Sequence, residues 1–514
     1  MTVSRASNRH VGSADRGERM RAPAWVHSLP LSVMALVLLV VGMGVVVSGV
    51  IELVDGGPSS GPLLLYGAAA VVAGGMGRRY TNVPAQIRIL DVFNTVTLAW
   101  LTMAIAGAIP YLITGHFARI DDALFESVSG FTTTGATLTN DIEATPHGVL
   151  FWRSTTQWLG GMGVIVLVVA VLPAVGSGGM SLIQAEAPGP TGERLTPRVR
   201  ETARRLWAVY LGFTVVLAFA YGIAGMSPYD AVNHSFTTVS TGGFSTYQAS
   251  MAHFQQASIQ WICIVAMFLA GGSFTLYYRA LRANPKPLLR STEFRLYLLY
   301  VGVVTGWAYL SAGYGGGQAS GFRDTLFTTT SMITTTGYVT TEYGHWSQTA
   351  QSVLLVALPI GAMAGSTAGG IKIIRVMAVA SFAHREALRH LHPRLVRPIR
   401  VGNGILTDDV AGKVVGFILL TLVIFGGGSV LIATTGTDMI TAFSASATSL
   451  GNVGPGLGAI DHADDFTALP SLARSISMVQ MLLGRLEIYP LILALSVITL
   501  RVPHILVRRA TWRR

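Results

Sequence analysis

Four short segments of this sequence share one pattern, and that pattern decides the fold. They read FESVSGFTTTGATLT (125–139), VNHSFTTVSTGGFST (232–246), LFTTTSMITTTGYVT (326–340) and TAFSASATSLGNVGP (441–455). Each joins a short apolar stretch to a cluster of Thr, Ser and Gly and precedes another long apolar run. Their central glycines are Gly135, Gly242, Gly337 and Gly451. Because these glycines recur about every 100 residues, the pattern indicates internal duplication.

The composition is that of a membrane protein. Of the 514 residues, 51% are hydrophobic and only 12% are charged. A water-soluble protein with so few charges would expose large apolar patches, and a disordered chain would be far less apolar. The single cysteine, Cys263, lies in an apolar run. We therefore expect no intrachain disulfide and a packed, inert thiol.

The apolar runs predict an all-α polytopic membrane protein. A membrane-spanning helix needs about 20 mostly apolar residues. Ten candidate spans lie near 31–51, 62–77, 91–114, 149–175, 206–225, 257–280, 296–313, 348–378, 414–435 and 475–500. The first run is too long for a signal peptide, and no small-residue cleavage site follows it. It is therefore predicted to remain as an anchor.

The connections between these runs alternate in charge. One set is rich in Arg, as at 194–205, 279–295 and 385–400, and the other set is richer in Asp and Glu. Since basic residues concentrate in cytoplasmic loops, both termini are predicted to be cytoplasmic. The same asymmetry accounts for the net charge of +11 better than the alternative, a basic patch for nucleic acid.

The duplicated unit is predicted to be a span, a short half-helix, a Thr/Gly loop and a second span. A half-helix is too short to cross a bilayer, so it must enter from outside and return. Irregular backbone at membrane depth is tolerated only where it is buried in protein or lines a wet cavity. Four such loops around one axis would form a pore, whereas four unrelated outer turns are the alternative.

The predicted division of the chain follows from these units. It comprises a cytoplasmic N-terminus (1–28), two extra transmembrane helices (29–88), pore repeats at 89–180, 206–285, 286–378 and 413–500, cytoplasmic linkers at 181–205 and 379–412, and a cytoplasmic C-terminus (501–514).

The chemistry of the loops suits a monovalent cation that sheds its water. Stacked backbone carbonyls can replace a hydration shell, and Gly allows the backbone conformations that aim carbonyls inward. Thr and Ser hydroxyls can add oxygen ligands. Carboxylates, which would favour divalent ions, are absent from the loop centres. The negative end of each half-helix would face the ion, and the acidic outer side would concentrate cations.

Four further motifs support a resemblance to a known family. They are RSTTQWLGGMGVIV (153–166), QAEAPGPTGERLTPRVRETARRLW (184–207), AGSTAGGIK (364–372) and MLLGRLEIYP (481–490). Over essentially its whole length the chain resembles the Trk/Ktr/HKT superfamily of potassium transporters. The two extra spans favour the bacterial Trk-type membrane subunit. The resemblance implies four fused span–pore loop–span units around a pseudo-fourfold pore in the bacterial cytoplasmic membrane, which passes potassium and rubidium.

The resemblance also implies which residues form the potassium filter. They are Thr133, Thr134 and Gly135; Ser240, Thr241 and Gly242; Thr335, Thr336 and Gly337; and Ser449, Leu450 and Gly451. Leu450 departs from the Thr pattern, but a backbone carbonyl does not depend on its side chain. Glycine at position 135, rather than serine, implies a preference for potassium over sodium.

A glycine-rich stretch, GAMAGSTAGG (361–370), interrupts the run at 348–378. Each Gly costs a helix about 1 kcal/mol relative to Ala, so local unwinding is expected. The resemblance places here an intramembrane loop that obstructs the pore. Its gate residues are Gly361, Gly365, Ser366, Thr367, Gly369 and Gly370, with Lys372 at the inner end. Helix packing through G-x-x-x-G is the alternative, and Lys372 either steadies the loop or extends to the headgroups.

Arg485 lies inside the last apolar run, where a charge is costly and usually faces a cavity or a partner. The hypothesis is that it projects into the pore below the filter, as an electrostatic barrier that forms part of the gate. The alternative is an ion pair with Glu487 or another carboxylate. A separation of two residues is, however, a poor pairing geometry on a helix.

The sequence contains no Walker motif, catalytic triad or zinc-ligand spacing that would indicate an enzyme. We expect no enzymatic activity and no cofactor, with potassium as the transported substrate. The glycine-rich stretch 313–321 is expected to be an outer loop, and His384, His390 and His392 to be solvated. The resemblance implies a homodimer and a cytosolic nucleotide-binding ring that docks on 184–205 and 379–412. Proton- or sodium-coupled symport, and transport of an organic solute, remain open alternatives.

Overall fold

The structure is a computed structural model that describes residues 28–82, 89–171, 199–282, 285–313, 319–402, 404–461, 466–488 and 491. These residues are mostly helical, which confirms the predicted fold class. The helices before the third repeat are α1 (Leu29–Val54), α2 (Ser60–Tyr80), α3 (Ile89–Ile113), α4 (Ile120–Phe131), α5 (His147–Val171), α6 (Val199–Ala224), α7 (Pro228–Val239), α8 (Ala257–Ala270) and α9 (Phe274–Arg282).

The later helices complete the second half of the chain. They are α10 (Lys286–Arg290), α11 (Thr292–Ser311), α12 (Ala319–Ile333), α13 (Gln348–Ala357), α14 (Ile373–Leu391), α15 (Asp408–Ala433), α16 (Met439–Gly451) and α17 (Ser471–Arg485). An antiparallel hairpin of β1 (Ile399–Val401) and β2 (Gly404–Leu406) connects α14 to α15. The predicted N-terminus, most of the linker at 181–205, residues 314–318 and the C-terminus lie outside the described residues.

Five of the described helices are long and apolar enough to cross a membrane, namely α1, α2, α3, α6 and α15. The pair α8 and α9 makes a sixth span if it is counted as one helix bent by 98°. The other predicted spans also contain helices. However, α13 has only ten residues and ends at the glycine-rich stretch. The helix α17 ends at Arg485.

The two N-terminal helices pack tightly against each other and against the first repeat. A Cβ built on Gly42, Gly67 or Gly74 would overlap with backbone atoms of the opposite helix. Such small residues allow membrane helices to approach closely. The hydroxyl of Tyr66 donates to the carbonyl of Ala106 on α3 over 2.7 Å, so the pair is anchored to the pore-forming part of the chain.

In each repeat a short helix precedes the loop of Thr, Ser and Gly, at the place where the sequence predicts a half-helix. These pore helices are α4, α7, α12 and α16, and they have 12, 12, 15 and 13 residues. Such lengths correspond to roughly 18–22 Å at 1.5 Å per residue, well short of the ~30 Å hydrocarbon core. These four helices are therefore too short to cross a membrane.

Candidate ion-conducting site

The loops after the four pore helices share one backbone conformation. A left-handed residue comes first: Thr133, Thr241, Thr335 and Asn452 have φ angles of 54, 55, 55 and 54°. Two positions later comes a glycine with positive φ: Gly135, Gly243, Gly337 and Gly454, at 87, 84, 85 and 94°. Non-glycine residues seldom adopt the left-handed region, so its fourfold recurrence identifies these positions as internal equivalents.

Hydrogen bonds at the helix ends repeat in the same way. In each loop, the residue after the left-handed one donates its N–H to the carbonyl five positions earlier. The four bonds are Thr134 to Ser129 (2.9 Å), Gly242 to Thr237 (2.8 Å), Thr336 to Ser331 (2.9 Å) and Val453 to Thr448 (2.9 Å). This is the Schellman arrangement, which ends a helix with a left-handed residue. The four loops are therefore copies of one turn.

This equivalence corrects the sequence alignment of two loops. In the second loop the matching triplet is Thr241, Gly242 and Gly243, one residue later than predicted, and Ser240 precedes it. In the fourth loop the shift is three residues, to Asn452, Val453 and Gly454.

The residues predicted for the fourth loop, Ser449, Leu450 and Gly451, instead form the last turn of α16. The physical reason is that α16 continues as a helix through Gly451, and the left-handed turn begins only at Asn452. The first and third loops have the predicted alignment.

The loops pack against one another in cyclic order. A Cβ built on Gly135 would overlap with the carbonyl oxygen of Gly242. One built on Gly243 would overlap with that of Thr336, and one built on Gly337 with that of Val453. The carbonyls belong to equivalent positions, so each loop rests on the next. Only glycine allows this approach.

A side-chain contact closes the cycle. The Asn452 amide donates to the hydroxyl of Thr134 over 3.0 Å and to the carbonyl of Met481 over 2.9 Å. The fourth loop is thereby joined to the first. The contacts among the four loops therefore form a closed ring, and the Thr and Asn side chains of these loops are fully buried.

The glycine-rich stretch in the third repeat is not helical. Between the end of α13 at Ala357 and the start of α14 at Ile373, residues 358–372 form a loop, somewhat longer than the predicted 361–370. Its two ends are joined by bonds from Gly361 N–H to the Ile371 carbonyl (3.0 Å) and from Ile371 N–H to the Pro359 carbonyl (2.9 Å). The helix-packing alternative requires a continuous helix here, which the structure does not have.

This loop, residues 358–372, lies against the ends of three pore helices. The Gly369 N–H donates to the Thr335 hydroxyl (2.7 Å) after α12, and the Thr367 hydroxyl donates to the carbonyl of Val239 (3.0 Å) at the end of α7. A Cβ on Gly369 would overlap with the carbonyl of Gly451 at the end of α16. The loop at 358–372 therefore contacts the C-terminal ends of α7 and α16 and the residue Thr335, which follows α12.

Arg485 reaches this loop from the fourth repeat. Its guanidinium donates to the carbonyl of Thr367 (2.9 Å) and to the carbonyl of Gly160 on α5 (3.3 Å), and the residue is buried. Glu487 instead bonds to Arg375 at 2.8 Å, so the pairing proposed as an alternative for Arg485 is not formed. Arg485 is placed between the loop and the first repeat.

The side chain of Lys372 also makes its hydrogen bonds within the loop at 358–372. Its side chain is buried, and its ammonium donates to the carbonyls of Ala368 and Gly369. Gly365 and Ser366 are held as well, because the Gly365 carbonyl accepts from Phe274 N–H (3.1 Å) and the Ser366 hydroxyl donates to Met363 (2.6 Å). Lys372 therefore steadies the loop and does not extend to the headgroups.

The sequence did not reveal a cluster of polar side chains on α4 and α5 that contacts the first two loops. Glu126 on α4 and Arg153 on α5 form a fully buried ion pair at 2.8 Å. One turn further along α5, the Gln157 amide bonds to the carbonyl of Gly242 (2.6 Å) and to the N–H of Phe244 (3.0 Å). The available signal was a Glu and an Arg inside segments assigned to membrane depth, where charges are expected to be functional or paired.

The family model described as TrkH, cation transport protein, matches residues 66–311 and 316–500. The chain belongs to the TrkH family.

Relatives and one solved structure agree with this assignment. The chain is 38% identical over 425 residues to the Trk system potassium uptake protein TrkH of Vibrio parahaemolyticus, covering 80% of this chain and 86% of that protein. It is 39% identical over 415 residues to the protein of the same name from Halomonas elongata, covering 79% and 85%. The crystal structure of the potassium transporter TrkH from Vibrio parahaemolyticus matches with a TM-score of 0.82 and 34% identity, over 90% of this chain and 98% of that one.

Proposed function

We propose that this TrkH-family chain takes up potassium ions across the bacterial cytoplasmic membrane through a gated pore. The observation that carries the proposal is the cycle of four equivalent left-handed–glycine loops, each resting on the next. The relatives named as potassium uptake proteins support the same substrate. The filter residues proposed here are the corrected triplets at 133–135, 241–243, 335–337 and 452–454.

The mechanism follows from the electrostatics of this centre. Carbonyl and hydroxyl oxygens of the loops replace water around the ion, while the carbonyl ends of four pore helices add negative potential. On the outer side, Asp438 caps α16 and accepts from the Thr441 N–H (3.0 Å). Hydrogen bonds from Thr441 lower the pKa of this carboxyl, so it stays ionised and attracts cations. The membrane potential supplies about 2.3 kcal/mol per charge per 100 mV.

The loop at 358–372 is the proposed gate, with Arg485 as an added electrostatic barrier. Both termini are proposed to be cytoplasmic, so α14 and the β1–β2 hairpin lie on the inner side. There Arg385 bonds to Asp408, and this hydrogen bond lowers the pKa of the Asp408 carboxyl. A cytosolic nucleotide-binding ring is proposed to dock on 379–412 and 184–205 of a homodimer and to move α14 together with the gate.

A substitution in the first loop tests the proposed ion. Gly135→Ser places a side chain where a Cβ overlaps with the Gly242 carbonyl, and we expect the ratio of rubidium to sodium uptake to fall about tenfold, or about 1.4 kcal/mol. The measurement is tracer uptake in cells that lack other potassium systems. An organic-solute carrier would show no rubidium uptake in the wild type and no change in ion preference.

A second measurement separates a channel from a symporter. For channel-like flow, the reversal potential of the current in proteoliposomes follows the potassium gradient and does not move with pH or sodium. Since an electrical driving force is sufficient for uptake, this is the result we expect. A reversal potential that shifts when only pH or only sodium is changed would assign coupled transport instead.

A further inference from the structure

The buried ion pair behind the first two loops is unlike anything at the matching positions of the other repeats. Glu126 lies seven residues before the left-handed residue Thr133. The equivalent residues are His234, Thr328 and Ala445. A carboxylate therefore occurs at this position only in the first repeat. A buried charge is costly unless it is paired and hydrogen-bonded, so a carboxylate at this position needs a countercharge and hydrogen-bond donors.

Glu126 fastens the outer part of the first loop to its pore helix. Its carboxylate accepts from the Thr137 hydroxyl (2.8 Å) and from the Leu138 N–H (3.0 Å). Thr137 lies four residues after Thr133. In the second repeat, His234 contacts the equivalent Ser245 hydroxyl at 3.0 Å. The same contact between pore helix and loop is thus made by an imidazole in the second repeat and by a carboxylate in the first.

Arg153 connects this ion pair to the second loop. Its guanidinium donates to Glu126 (2.8 Å), to the Thr137 hydroxyl (2.9 Å) and to the Ser245 carbonyl (3.3 Å). The same group lies over the ring of Phe244, 4.2 Å from its centroid. Phe244 directly follows the filter glycine Gly243. One side chain therefore contacts both loops just beyond their filter positions.

Gln157 contacts the second loop from the next turn of α5. Residues four apart lie on the same face of a helix, so Arg153 and Gln157 present one polar edge to the loop. Gln157 contacts Gly242 and Phe244, and Arg153 contacts Phe244 and Ser245. The second loop is thereby aligned along α5, a helix of the first repeat.

We infer that Arg153 is a positioning residue that fixes the spacing between the first and second filter loops and thereby contributes to ion selectivity. This inference rests on the proposed function. Arg suits the role because its planar fork can donate in several directions at once and can stack on an aromatic face. Lysine, as a point charge on a flexible stem, can keep the pair with Glu126 but cannot bridge to the second loop in the same way.

Three variants separate positioning from simple charge burial. Arg153→Gln leaves Glu126 unpaired, Arg153→Lys keeps the charge without the bridge, and the double variant Glu126→Gln with Arg153→Gln removes both charges. If the pair serves only to neutralise Glu126, the double variant restores wild-type selectivity. If Arg153 positions the loops, the double variant remains impaired. Arg78→Gln, at an exposed position on α2, is the matched control.

The experiment measures concentration-dependent rubidium uptake, and its inhibition by sodium, in cells that lack other potassium systems. We expect the rubidium-over-sodium preference to fall about fivefold, or about 1 kcal/mol, in both Arg153→Lys and the double variant. The KM for rubidium rises and Vmax changes less, while Arg78→Gln behaves as the wild type. Size-exclusion profiles of the purified proteins identify folded variants, and Arg153→Lys and the double variant leave no carboxylate without a countercharge.

A folded double variant with wild-type KM and wild-type ion preference would overturn the inference. That result is distinct from failure of the proposed function, because in that case the wild-type chain itself shows no rubidium uptake above cells without it.

Discussion

Replacing Gly454 by Ala is expected to reduce potassium uptake at least a hundredfold, whereas replacing Gly451 by Ala leaves most of it. Gly454 has a φ of 94° at the position equivalent to Gly135, where side chains are excluded. Holding a non-glycine residue in such a region costs of order 1–3 kcal/mol, and the ring of loops cannot relax without losing its spacing. Uptake of rubidium by cells carrying each variant at equal protein levels provides the measurement.

The Gly451 variant serves as the internal control for this prediction. Gly451 is helical, and the nearest atoms to an added Cβ are Val453 Cγ2 at 3.3 Å and the Leu358 carbonyl oxygen at 3.5 Å. Alanine is also a better helix former than glycine. The reverse ranking, with Gly451→Ala inactive and Gly454→Ala active, would restore the filter alignment expected from the sequence and refute the corrected one.

Removing the charge of Arg485 is expected to raise potassium flux about thirtyfold at a given gradient. A unit charge several ångströms from a passing cation, at intermediate dielectric, opposes it by about 2 kcal/mol, which corresponds to roughly thirtyfold in rate. Arg485 is buried and bonded to the Thr367 carbonyl of the loop at 358–372, the proposed gate. Single-channel or flux recordings of Arg485→Gln in proteoliposomes measure the change.

The choice of replacement separates the charge from the tether. Glutamine retains hydrogen-bond donors for the carbonyl of Thr367 but carries no charge, whereas Arg485→Lys keeps the charge. We expect Arg485→Lys to conduct close to the wild-type level. Equal flux through Arg485→Gln and the wild type would show that the guanidinium is no barrier. Equal activation of Arg485→Lys and Arg485→Gln would show that the charge is not the cause, because Arg485→Lys keeps it.

The sequence predicts most of the fold because bilayer thickness constrains helix length. The apolar run at 31–51 lies within α1, and the run at 414–435 lies within α15 except for its last two residues. The re-entrant nature of the pore helices follows from their short lengths. The 98° bend between α8 and α9 does not follow, because the apolar run at 257–280 continues through it and only packing fixes the angle.

The sequence predicted the alignment of only two of the four loops. The alignment failed where glycines are crowded: two adjacent ones in T-G-G at 241–243, and two separated by Asn and Val in G-N-V-G at 451–454. Asn452 was the overlooked signal, because Asn is enriched several-fold in the left-handed conformation. The sequence shows Glu126 and Arg153 as charges inside predicted membrane segments, but it does not show that they pair, because only the packing of α4 on α5 brings them together.

The left-handed position of the proposed filter is occupied by threonine in three repeats and by asparagine in the fourth. In an assembly of four identical subunits, any codon change would alter every side of the opening simultaneously. Here the four loops are encoded at four places in one chain, so a substitution in one loop leaves the other three unchanged. Asn452, which donates to Thr134 of the first loop, is one such difference between the repeats, and a single substitution changes the lining of one loop alone.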